Sequence, residues 1–226
     1  MNLSKRLQTI YDMVPVSVVA DVGADHGKLI ISLVKNNIAT YGYAIENKKG
    51  PFERLVSAIN ESGLSSRIKP LFSDGIRDLP EIVSTVVIAG MGGQTVVNIL
   101  KAHIENLINV KTIIVDAHNA VPFLREEISK LGFAIADEKI IEEDGIYYEI
   151  IKFVKAGVAF YSDMDIEFGP ILRQHKTSTF KEKYESRILE IDNLINTKEL
   201  PDARISELLE EKNRIRNVLW TQENYY

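Results

Sequence analysis

The stretch Asp21-Val22-Gly23-Ala24-Asp25-His26-Gly27 follows an apolar run, Val16 to Ala20, and precedes a helical pattern of apolar residues. A strand that ends in small residues and turns into a helix presents free backbone N–H groups to a nucleotide-like ligand. The dinucleotide pattern G-x-G-x-x-G needs glycine two residues after Gly23, where this chain has Asp25. A carboxylate is badly placed beside a pyrophosphate. The stretch therefore predicts a site for an adenosyl ligand that lacks phosphates.

S-adenosylmethionine has this chemistry, because its sulfonium is cationic and its ribose hydroxyls still need an acidic acceptor. Glu46 ends the second predicted strand, the usual position of a ribose-binding carboxylate. An acidic residue there can instead be solvated or cap a helix. Asp74, in Ser73-Asp74-Gly75, can accept a hydrogen bond from the exocyclic amine of adenine or form a plain Asp-Gly turn. The ends of these strands should converge at one edge of the sheet.

Seven apolar runs predict strands between residue 1 and about residue 155, with helices in the gaps between the first six. They cover residues 16–22, 41–46, 67–72, 85–89, 112–116, 133–142 and 147–154. The last two runs are joined by Glu143-Asp144-Gly145, and Asp-Gly favours an antiparallel hairpin. Five parallel strands followed by a hairpin are typical of a class I, Rossmann-like methyltransferase, an α/β fold. A dinucleotide dehydrogenase usually keeps its sixth strand parallel.

The fourth strand runs into Gly90-Met91-Gly92-Gly93, at the same edge of the sheet. Glycine lets the backbone approach a ligand or substrate closely. A tight turn from strand to helix is the other interpretation. Enzymes that methylate exocyclic nitrogens usually have Asn/Asp-Pro-Pro-aromatic here, and the chain has nothing of that kind, so the target nitrogen is expected not to be exocyclic.

Residues 1–157 are predicted to form the methyltransferase domain and residues 158–226 a helical domain. A helix is expected to open at Gly169-Pro170, with proline in its first turn. Its apolar stripe is Phe180, Tyr184, Ile188, Ile191 and Ile195. A second stripe after Pro201 is Ile205, Leu208, Ile215 and Leu219, with Lys212 where an apolar residue is expected. The stripes predict an antiparallel helical hairpin, or coiled coil, with helices of about 25 and 18 residues.

Composition and charge limit the classes of protein to which the chain can belong. The 226 residues are 45% hydrophobic and carry a net charge of −5, so nucleic-acid contact must rest on a local patch. Residues 161–226, within the helical domain, have 10 Lys/Arg and 13 Asp/Glu, a formal charge of −3. There are no cysteines, and the four histidines show no metal-ligand spacing, so no metal site is expected. The N-terminus MNLSKRLQTI lacks the apolar region of a signal peptide, and no apolar run could span a bilayer. A cytoplasmic monomer is expected.

Six segments carry a family resemblance: SKRLQTI (4–10), ADVGADHGKL (20–29), GPF (50–52), SDG (73–75), IAGMGG (88–93) and EEDGIYYEI (142–150). In this order and spacing the chain resembles the bacterial tRNA (adenine-22) N1-methyltransferases over nearly its whole length. The resemblance implies methyl transfer from S-adenosylmethionine to N1 of an adenine in the D-arm region of tRNA. It also implies that the helical hairpin assists in tRNA binding.

Carried over by position, the resemblance assigns residues to the cofactor and to catalysis. The expected cofactor-binding residues are Asp21, Gly23, Ala24, His26, Glu46, Asn47, Asp74, Gly75, Ala89 and Gly90. Asp25 matches the aspartate proposed as catalytic in the family. The chain departs from the family at Ala24-Asp25-His26-Gly27-Lys28, where members commonly have Ser-Asp-His-Ala-Tyr, so an aromatic that stacks a flipped base is missing at Lys28. It also has Asp116-Ala117-His118-Asn119 in place of Gln-Pro-Asn.

The chemistry at N1 needs few groups, because this nitrogen already carries a lone pair. The enzyme must extract the base, hold it in line with the methyl group and accept the positive charge that the product acquires. Asp25 can hydrogen-bond the N6 amine, stabilise that charge or take the proton lost afterwards. Its other interpretation is the N-cap of the following helix.

Substrate contacts are expected from cations and from the strand ends. The candidates are Lys5, Arg6, Lys28, Met91, Gly92, His118, Asn119, Arg125, Arg173 and Lys176. Arg125 is favoured because it lies just beyond His118 and Asn119. Two other classes stay open: a methyltransferase of a small molecule or protein, for which the acidic charge is natural, and a non-catalytic cofactor- or RNA-binding module.

Overall fold

The computed structural model describes residues 2–220 of the chain. The chain divides into two compact units, Met1–Tyr161 and Ser162–Tyr226. The first unit extends four residues beyond the expected boundary at 157. The hydroxyl of Tyr161 accepts a hydrogen bond of 2.7 Å from the backbone N–H of Ile135, which ties this segment to the sheet.

The first unit is built on one seven-stranded sheet. Its strands are β1 (Ser17–Val22), β2 (Ala39–Glu46), β3 (Ile68–Phe72), β4 (Thr85–Met91), β5 (Thr112–Ala117), β6 (Phe133–Glu143) and β7 (Ile146–Lys155). Their spatial order is β3-β2-β1-β4-β5-β7-β6. The first five strands are parallel, and β7 pairs antiparallel with both β5 and β6. The class I methyltransferase arrangement expected from the sequence is confirmed.

Helices cover both faces of this sheet. They are α1 (Lys5–Met13), α2 (Lys28–Lys35), α3 (Lys49–Glu61), α4 (Gly93–Ala102) and α5 (Val121–Lys130), with a 3₁₀ turn at Ile104–Leu107. The helix expected between β3 and β4 is wrong, because residues 73–84 form only turns. Pro80 has no N–H to continue a helical ladder, and Ile76 and Val83 anchor the segment in the core.

The core lies on both faces of the central strands, which explains their continuous apolar runs. On one face Val22, Ile88 and Val115 belong to a buried cluster that also includes residues of α4 and α5. On the other face Val87 and Ile114 belong to a cluster that includes residues of α1, α2 and α3. The buried carboxyl groups of Asp21, Glu46 and Asp116 lie at or near the carboxyl ends of β1, β2 and β5, which places the functional site there.

The second unit is helical. It contains α6 (Asp163–Phe168), α7 (Pro170–His175), α8 (Ser178–Thr197) and α9 (Asp202–Trp220). The single long helix expected from Pro170 is wrong, because Lys176 adopts a left-handed conformation with φ 44° and the Thr177 side chain caps α8. Helices α8 and α9 pack against each other as the hairpin predicts. Lys212 pairs with the carboxylate of Asp192, which accounts for a cation in the apolar stripe.

Candidate active site

A cavity of about 600 Å³ opens at the carboxyl ends of β1, β2 and β4. The predicted residues that line it are Gly23, Asp25, Glu46, Asn47, Asp74, Gly75, Ala89, Gly90, Met91 and Gly92. Parallel strands deliver their carboxyl ends to a single edge, so residues far apart in sequence meet here. Arg54 and Thr95 also line the cavity and were not predicted.

Glu46 is a buried carboxylate on the wall of this cavity, with 9% of the residue exposed. Its Oε1 atom accepts hydrogen bonds of 3.0 Å from the backbone N–H groups of Asn47 and Lys48. These donors fix the carboxylate and satisfy one oxygen only. Oε2 has no hydrogen-bond partner among residues 2–220 and can accept from hydroxyl groups in the cavity.

The segments after β2 and β3 are joined beside Glu46. The side-chain amide of Asn47 donates a hydrogen bond of 2.8 Å to Oδ1 of Asp74. Gly75 follows with φ +59°, a left-handed conformation that suits glycine. Asp74 is exposed, and the Arg77 guanidinium lies 3.8 Å from its Oδ2. Asp74 therefore presents a hydrogen-bond acceptor at the end of the cavity away from Gly23.

The glycine run at the end of β4 and the start of α4 packs against the loop after β5 and lines the cavity. A Cβ on Gly93 would lie 2.7 Å from the backbone oxygen of Asn119 and 2.8 Å from that of Ala120. Gly93 therefore allows the loops after β4 and β5 to pack closely. Gly90, with φ +77°, lines the cavity. The Gly93 N–H also donates to Oδ1 of Asn119 at 3.2 Å, so that side chain holds the two loops together.

A second cavity of about 230 Å³ shares Gly23, Asp25 and Ala89 with the first. Three further predicted cofactor residues, Asp21, Ala24 and His26, line the second cavity and not the first. It is completed by Arg6, Leu7, Lys28 and Leu29. The predicted cofactor residues thus divide between two cavities on either side of the Gly23–Asp25 turn.

Asp25 contributes to both cavities. Its side chain is 52% exposed, with Arg54 at 3.4 Å and His26 at 3.5 Å from its carboxylate oxygens. The N-cap interpretation of Asp25 is wrong, because α2 begins at Lys28 with Gly27 as its N-cap and no side chain capping it. Asp25 is therefore available to a ligand in either cavity. Arg54 lies in α3 outside any motif, so only the folded chain reveals its contact with Asp25.

Asp21 is buried at the end of β1, with 5% of the residue exposed. Burial raises the pKa of its carboxyl from 3.8 to about 7, and a hydrogen bond from the backbone N–H of Ile30 opposes this only in part. Removing a carboxylate from water disfavours its charged form. A cation bound in the second cavity would restore the ionised state.

Arg6 extends from α1 and its guanidinium is fixed on two sides. Nη1 donates to Oδ2 of Asp116 at 2.5 Å, and Cζ lies 5.3 Å from the ring centroid of Tyr148. Asp116 is fully buried, and its Oδ1 has no hydrogen-bond partner among residues 2–220. Tyr148 in turn packs edge-on against His118, with ring centroids 5.9 Å apart. Arg6 is the principal partner of the Asp116 charge.

The prediction that Arg125 contacts RNA is wrong. Arg125 is fully buried, with Nε 2.8 Å from Oε1 of Glu138 and Nη2 paired with Glu149. A phosphate cannot reach a guanidinium enclosed between two buried carboxylates without unfolding the hairpin. The pairing stabilises the packing of α5 on the β6–β7 hairpin.

The other cations predicted to contact RNA differ in their solvent exposure. Lys28 is exposed beside the second cavity, and exposed Lys5 donates to the backbone oxygen of Glu142 at 3.0 Å. In the second unit, Arg173 is held by Asp165 at 2.9 Å and its side chain is only 15% exposed, which disfavours phosphate binding. Partial burial and the nearby Arg173 and Lys181 lower the pKa of Lys176.

Comparison with known proteins identifies the family of this chain. Residues 3–151 match the methyltransferase-domain family. The tRNA (adenine(22)-N(1))-methyltransferase of Bacillus subtilis strain 168 is 33% identical over 196 residues, which cover 83% of this chain and 82% of that protein. The chain belongs to the tRNA (adenine(22)-N(1))-methyltransferase family.

Solved structures of relatives agree over both units. Streptococcus pneumoniae Sp1610 in complex with S-adenosyl-L-methionine superposes with a TM-score of 0.89 at 30% identity, covering 96% of this chain and 100% of that one. M. capricolum TrmK in complex with S-adenosyl-homocysteine superposes with a TM-score of 0.86 at 28% identity, covering 96% of this chain and 97% of that one. The family resemblance seen in the sequence is confirmed.

Neither a membrane-spanning helix nor a cluster of metal ligands occurs in the described part of the chain. Residues 2–220 contain no helix long and apolar enough to cross a membrane. The same residues contain no group of three or more His, Asp or Glu side chains that could hold a metal ion.

Proposed function

We propose that this protein transfers the methyl group of S-adenosylmethionine to N1 of an adenine in tRNA, at adenine 22 in the D-arm region. Membership of the family supports the reaction and its substrate. The structural observation that carries the proposal is the cavity that both Glu46 and Asp74 line. A fixed carboxylate and a second acceptor in one cavity suit an adenosyl group.

The residues present fit this cofactor. Oε2 of Glu46 would accept hydrogen bonds from the ribose hydroxyls, and Asp74 would accept one from the adenine amine. Gly23 and Gly90 would let the backbone lie close to the ligand. When bound, the cofactor supplies an electrophilic methyl group on a sulfonium.

Asp25 is the residue to which we assign catalysis. It lies where both cavities meet, and half of its side chain is exposed. Its carboxylate would accept a hydrogen bond from the N6 amine of the target adenine and stabilise the positive charge that develops on the base. Arg54 and His26 keep the carboxylate oriented. Met91, Gly92, His118 and Asn119 would form the surroundings of the base.

The full-length protein provides the direct test. Incubation with S-adenosylmethionine labelled on its methyl group and bulk unmodified tRNA should give labelled 1-methyladenosine, located at position 22 by nuclease digestion and mass spectrometry. A protein with Glu46→Gln serves as the control for cofactor-dependent labelling. Label that enters only small molecules or protein would support the alternative methyltransferase class. Cofactor binding without transfer to any acceptor would support a non-catalytic module.

The second unit is proposed to bind tRNA and to take no part in the chemistry. Helices α8 and α9 pack against each other, and the stripe residues Ile191 and Leu208 are buried. Removing residues 162–226 should leave cofactor affinity intact and weaken tRNA binding, most clearly at high salt, where the remaining phosphate contacts are already weak. An unchanged KM for tRNA would contradict this role. Sedimentation of both proteins would then show whether the unit mediates dimerisation instead of the proposed monomer.

A further inference from the structure

The target adenine needs a stacking partner, which the first cavity does not supply. A base that leaves its RNA stack loses contact with its neighbours, and proteins replace that contact with a flat side chain. Among residues 2–220, no aromatic side chain lines the first cavity. His26 lines the second, with its Nε2 atom 3.5 Å from a carboxylate oxygen of Asp25. A ring that covers the base is therefore expected at the rim of the first cavity.

His118 places a ring at this rim. A Cβ on Gly90, which lines the first cavity, would lie 3.8 Å from Nε2 of His118. The backbone N–H of His118 donates a hydrogen bond of 3.0 Å to the carbonyl oxygen of Met91, another residue that lines the cavity. His118 is exposed. Its imidazole therefore lies beside the cavity, on a backbone tied to β4, where a large substrate can reach it.

Tyr148 contacts the His118 ring from the side. It belongs to β7, which pairs antiparallel with β5, the strand that precedes His118. The two ring centroids are 5.9 Å apart and the ring planes are inclined by 65°, an edge-on contact. The phenol is itself held, because Cζ of Arg6 lies 5.3 Å from its centroid. Within residues 2–220 Tyr148 is the only ring that contacts His118, so at least one face of the imidazole carries no other ring.

A base suits this position better than a phosphate. Nη1 of Arg6 lies 3.5 Å from the same Cβ position on Gly90, but it already pairs with the carboxylate of Asp116. The charge that a phosphate would need is therefore compensated within the chain. Asp25 also lines the first cavity and is assigned to the N6 amine. The edge and the face of the adenine would then contact different residues.

The loop of His118 is also a place where this chain departs from its family. His118 lies in Asp116-Ala117-His118-Asn119, where members commonly have Gln-Pro-Asn. Lys28 stands where they commonly have the aromatic residue suited to stacking a flipped base. The chain thus lacks a ring at position 28 and has one at position 118.

We propose that the imidazole of His118 stacks on the target adenine, and that Tyr148 is a positioning residue that holds this imidazole beside the cavity. The identity of the base rests on the proposed function. The proposal goes beyond it in assigning base stacking to one residue and in giving Tyr148 a role in the site.

Two tRNAs separate stacking from the other contacts. One is unmodified tRNA with adenine at position 22, and the other is the same tRNA with an abasic nucleotide there. In fluorescence-anisotropy titrations of the full-length protein saturated with S-adenosylhomocysteine, His118→Ala should weaken binding of the adenine-22 tRNA by roughly 5- to 50-fold, as expected for the loss of one base–aromatic stack. Its affinity for the abasic tRNA should stay within about twofold of wild type, because the lost contact is absent there. His103→Ala, which removes an imidazole at the C-terminal end of α4, is the matched control and should change neither affinity.

Other substitutions test the chemistry of the ring and its support. His118→Phe keeps a flat ring and should retain most of the affinity for the adenine-22 tRNA, whereas His118→Asn keeps polar atoms without a ring and should lose as much as His118→Ala. Tyr148→Leu should lower kcat/KM for the adenine-22 tRNA by about 2- to 10-fold, the effect of one aromatic pair, without weakening the abasic tRNA. Tyr148→Phe should restore most of this loss.

Three results would overturn the proposal. Equal losses of both tRNAs in His118→Ala would mean that His118 supports the loop or contacts the RNA backbone. Affinity retained in His118→Asn and lost in His118→Phe would make His118 a hydrogen-bonding residue. Equal losses of both tRNAs in Tyr148→Leu would leave Tyr148 a structural role only, and if that variant fails to fold the His118 comparison decides. If the wild-type protein does not methylate adenine 22, the proposed function fails, whereas methylation that is insensitive to His118→Ala removes the stacking role alone.

Discussion

The β6–β7 hairpin and the carboxyl ends of β1 and β2 both bury charged side chains, and they compensate those charges differently. At the hairpin, Arg125 pairs with Glu138 and Glu149, and all three are buried. At the strand ends, Asp21 and Glu46 are also buried, but each lines a cavity and their identified hydrogen bonds come from the main chain.

The charges at the hairpin stabilise the fold, whereas the carboxylates at the strand ends are available to a ligand. A guanidinium between two carboxylates has its partners within the chain, so it contributes to stability and is closed to solvent. A carboxylate held by backbone N–H groups at a cavity retains unused acceptor capacity. Substitutions should therefore change stability in the first region and ligand binding in the second.

The largest effect is expected at Arg125. Arg125→Met leaves the buried carboxylates of Glu138 and Glu149 without their cation, which should lower the free energy of unfolding by about 3–5 kcal/mol. Urea denaturation at pH 7.5 measures this loss. The affinity of the folded protein for S-adenosylhomocysteine should stay within about twofold of wild type.

A triple variant, Arg125→Met/Glu138→Leu/Glu149→Leu, is the matched control. Apolar groups in place of a whole buried ionic cluster are often tolerated, so most of the lost stability should return. Unchanged stability of Arg125→Met together with loss of tRNA binding would contradict the structural role.

The next effect is expected at Asp25, where the two cavities meet. Asp25→Asn keeps the side-chain shape and removes the charge, so methyl transfer to tRNA should fall by roughly 10²-fold. Affinity for S-adenosylhomocysteine should stay within a few-fold. Single-turnover kinetics and calorimetry measure the two quantities separately. If both fall together, Asp25 belongs to the cofactor site, and if neither falls it has no catalytic role.

Much of the site at the strand ends, and the hairpin itself, could be predicted from the sequence. The positions of Glu46 and Asp74 follow from apolar runs that end in acidic residues, because parallel strands share one carboxyl edge. The Asp-Gly turn predicted the hairpin and its antiparallel pairing. These features are local in sequence and need no knowledge of packing.

The wrong predictions concern features that depend on tertiary structure. Arg125 lies near His118 in sequence, but it points to the inner face of α5 with Leu124, Ile128 and Ser129. The helical period of that face was the signal available for its burial. The break at Lys176 rests on a left-handed residue that is not glycine, which no pattern in the sequence marks.

A smaller effect than at Asp25 is expected for Glu46→Gln. The amide oxygen can still accept from the N–H groups of Asn47 and Lys48, while the amide nitrogen replaces the oxygen proposed to face the ribose. Affinity for S-adenosylhomocysteine should weaken by about 1–3 kcal/mol, the contribution of hydrogen bonds to a charged group. Calorimetry measures the change, and thermal unfolding of the free protein should hardly move. Equal affinities of variant and wild type would leave Glu46 a structural role only.

The smallest effect is a pH dependence that Asp21→Asn should remove. Because the pKa of Asp21 is raised to about 7, the free protein has this carboxyl mostly protonated at pH 6 and mostly ionised at pH 8. Only the ionised form attracts a cationic group of a ligand, and S-adenosylhomocysteine carries an ammonium group, so its affinity for the wild-type protein should fall by up to about tenfold from pH 8 to pH 6.

The same shift acts on stability with the opposite sign. The folded state holds the Asp21 proton more tightly than the unfolded chain, so this residue lowers the free energy of unfolding as pH rises from about 4 to 7. With Asp21→Asn, the affinity for S-adenosylhomocysteine should therefore be weaker than that of wild type at pH 8 and should no longer depend on pH. The ligand-free variant should be more stable than wild type at pH 8. Histidines change charge in the same pH range, so His26→Gln is the control and should retain the wild-type dependence. A profile that flattens in His26→Gln and persists in Asp21→Asn would contradict the assignment of this pH dependence to Asp21.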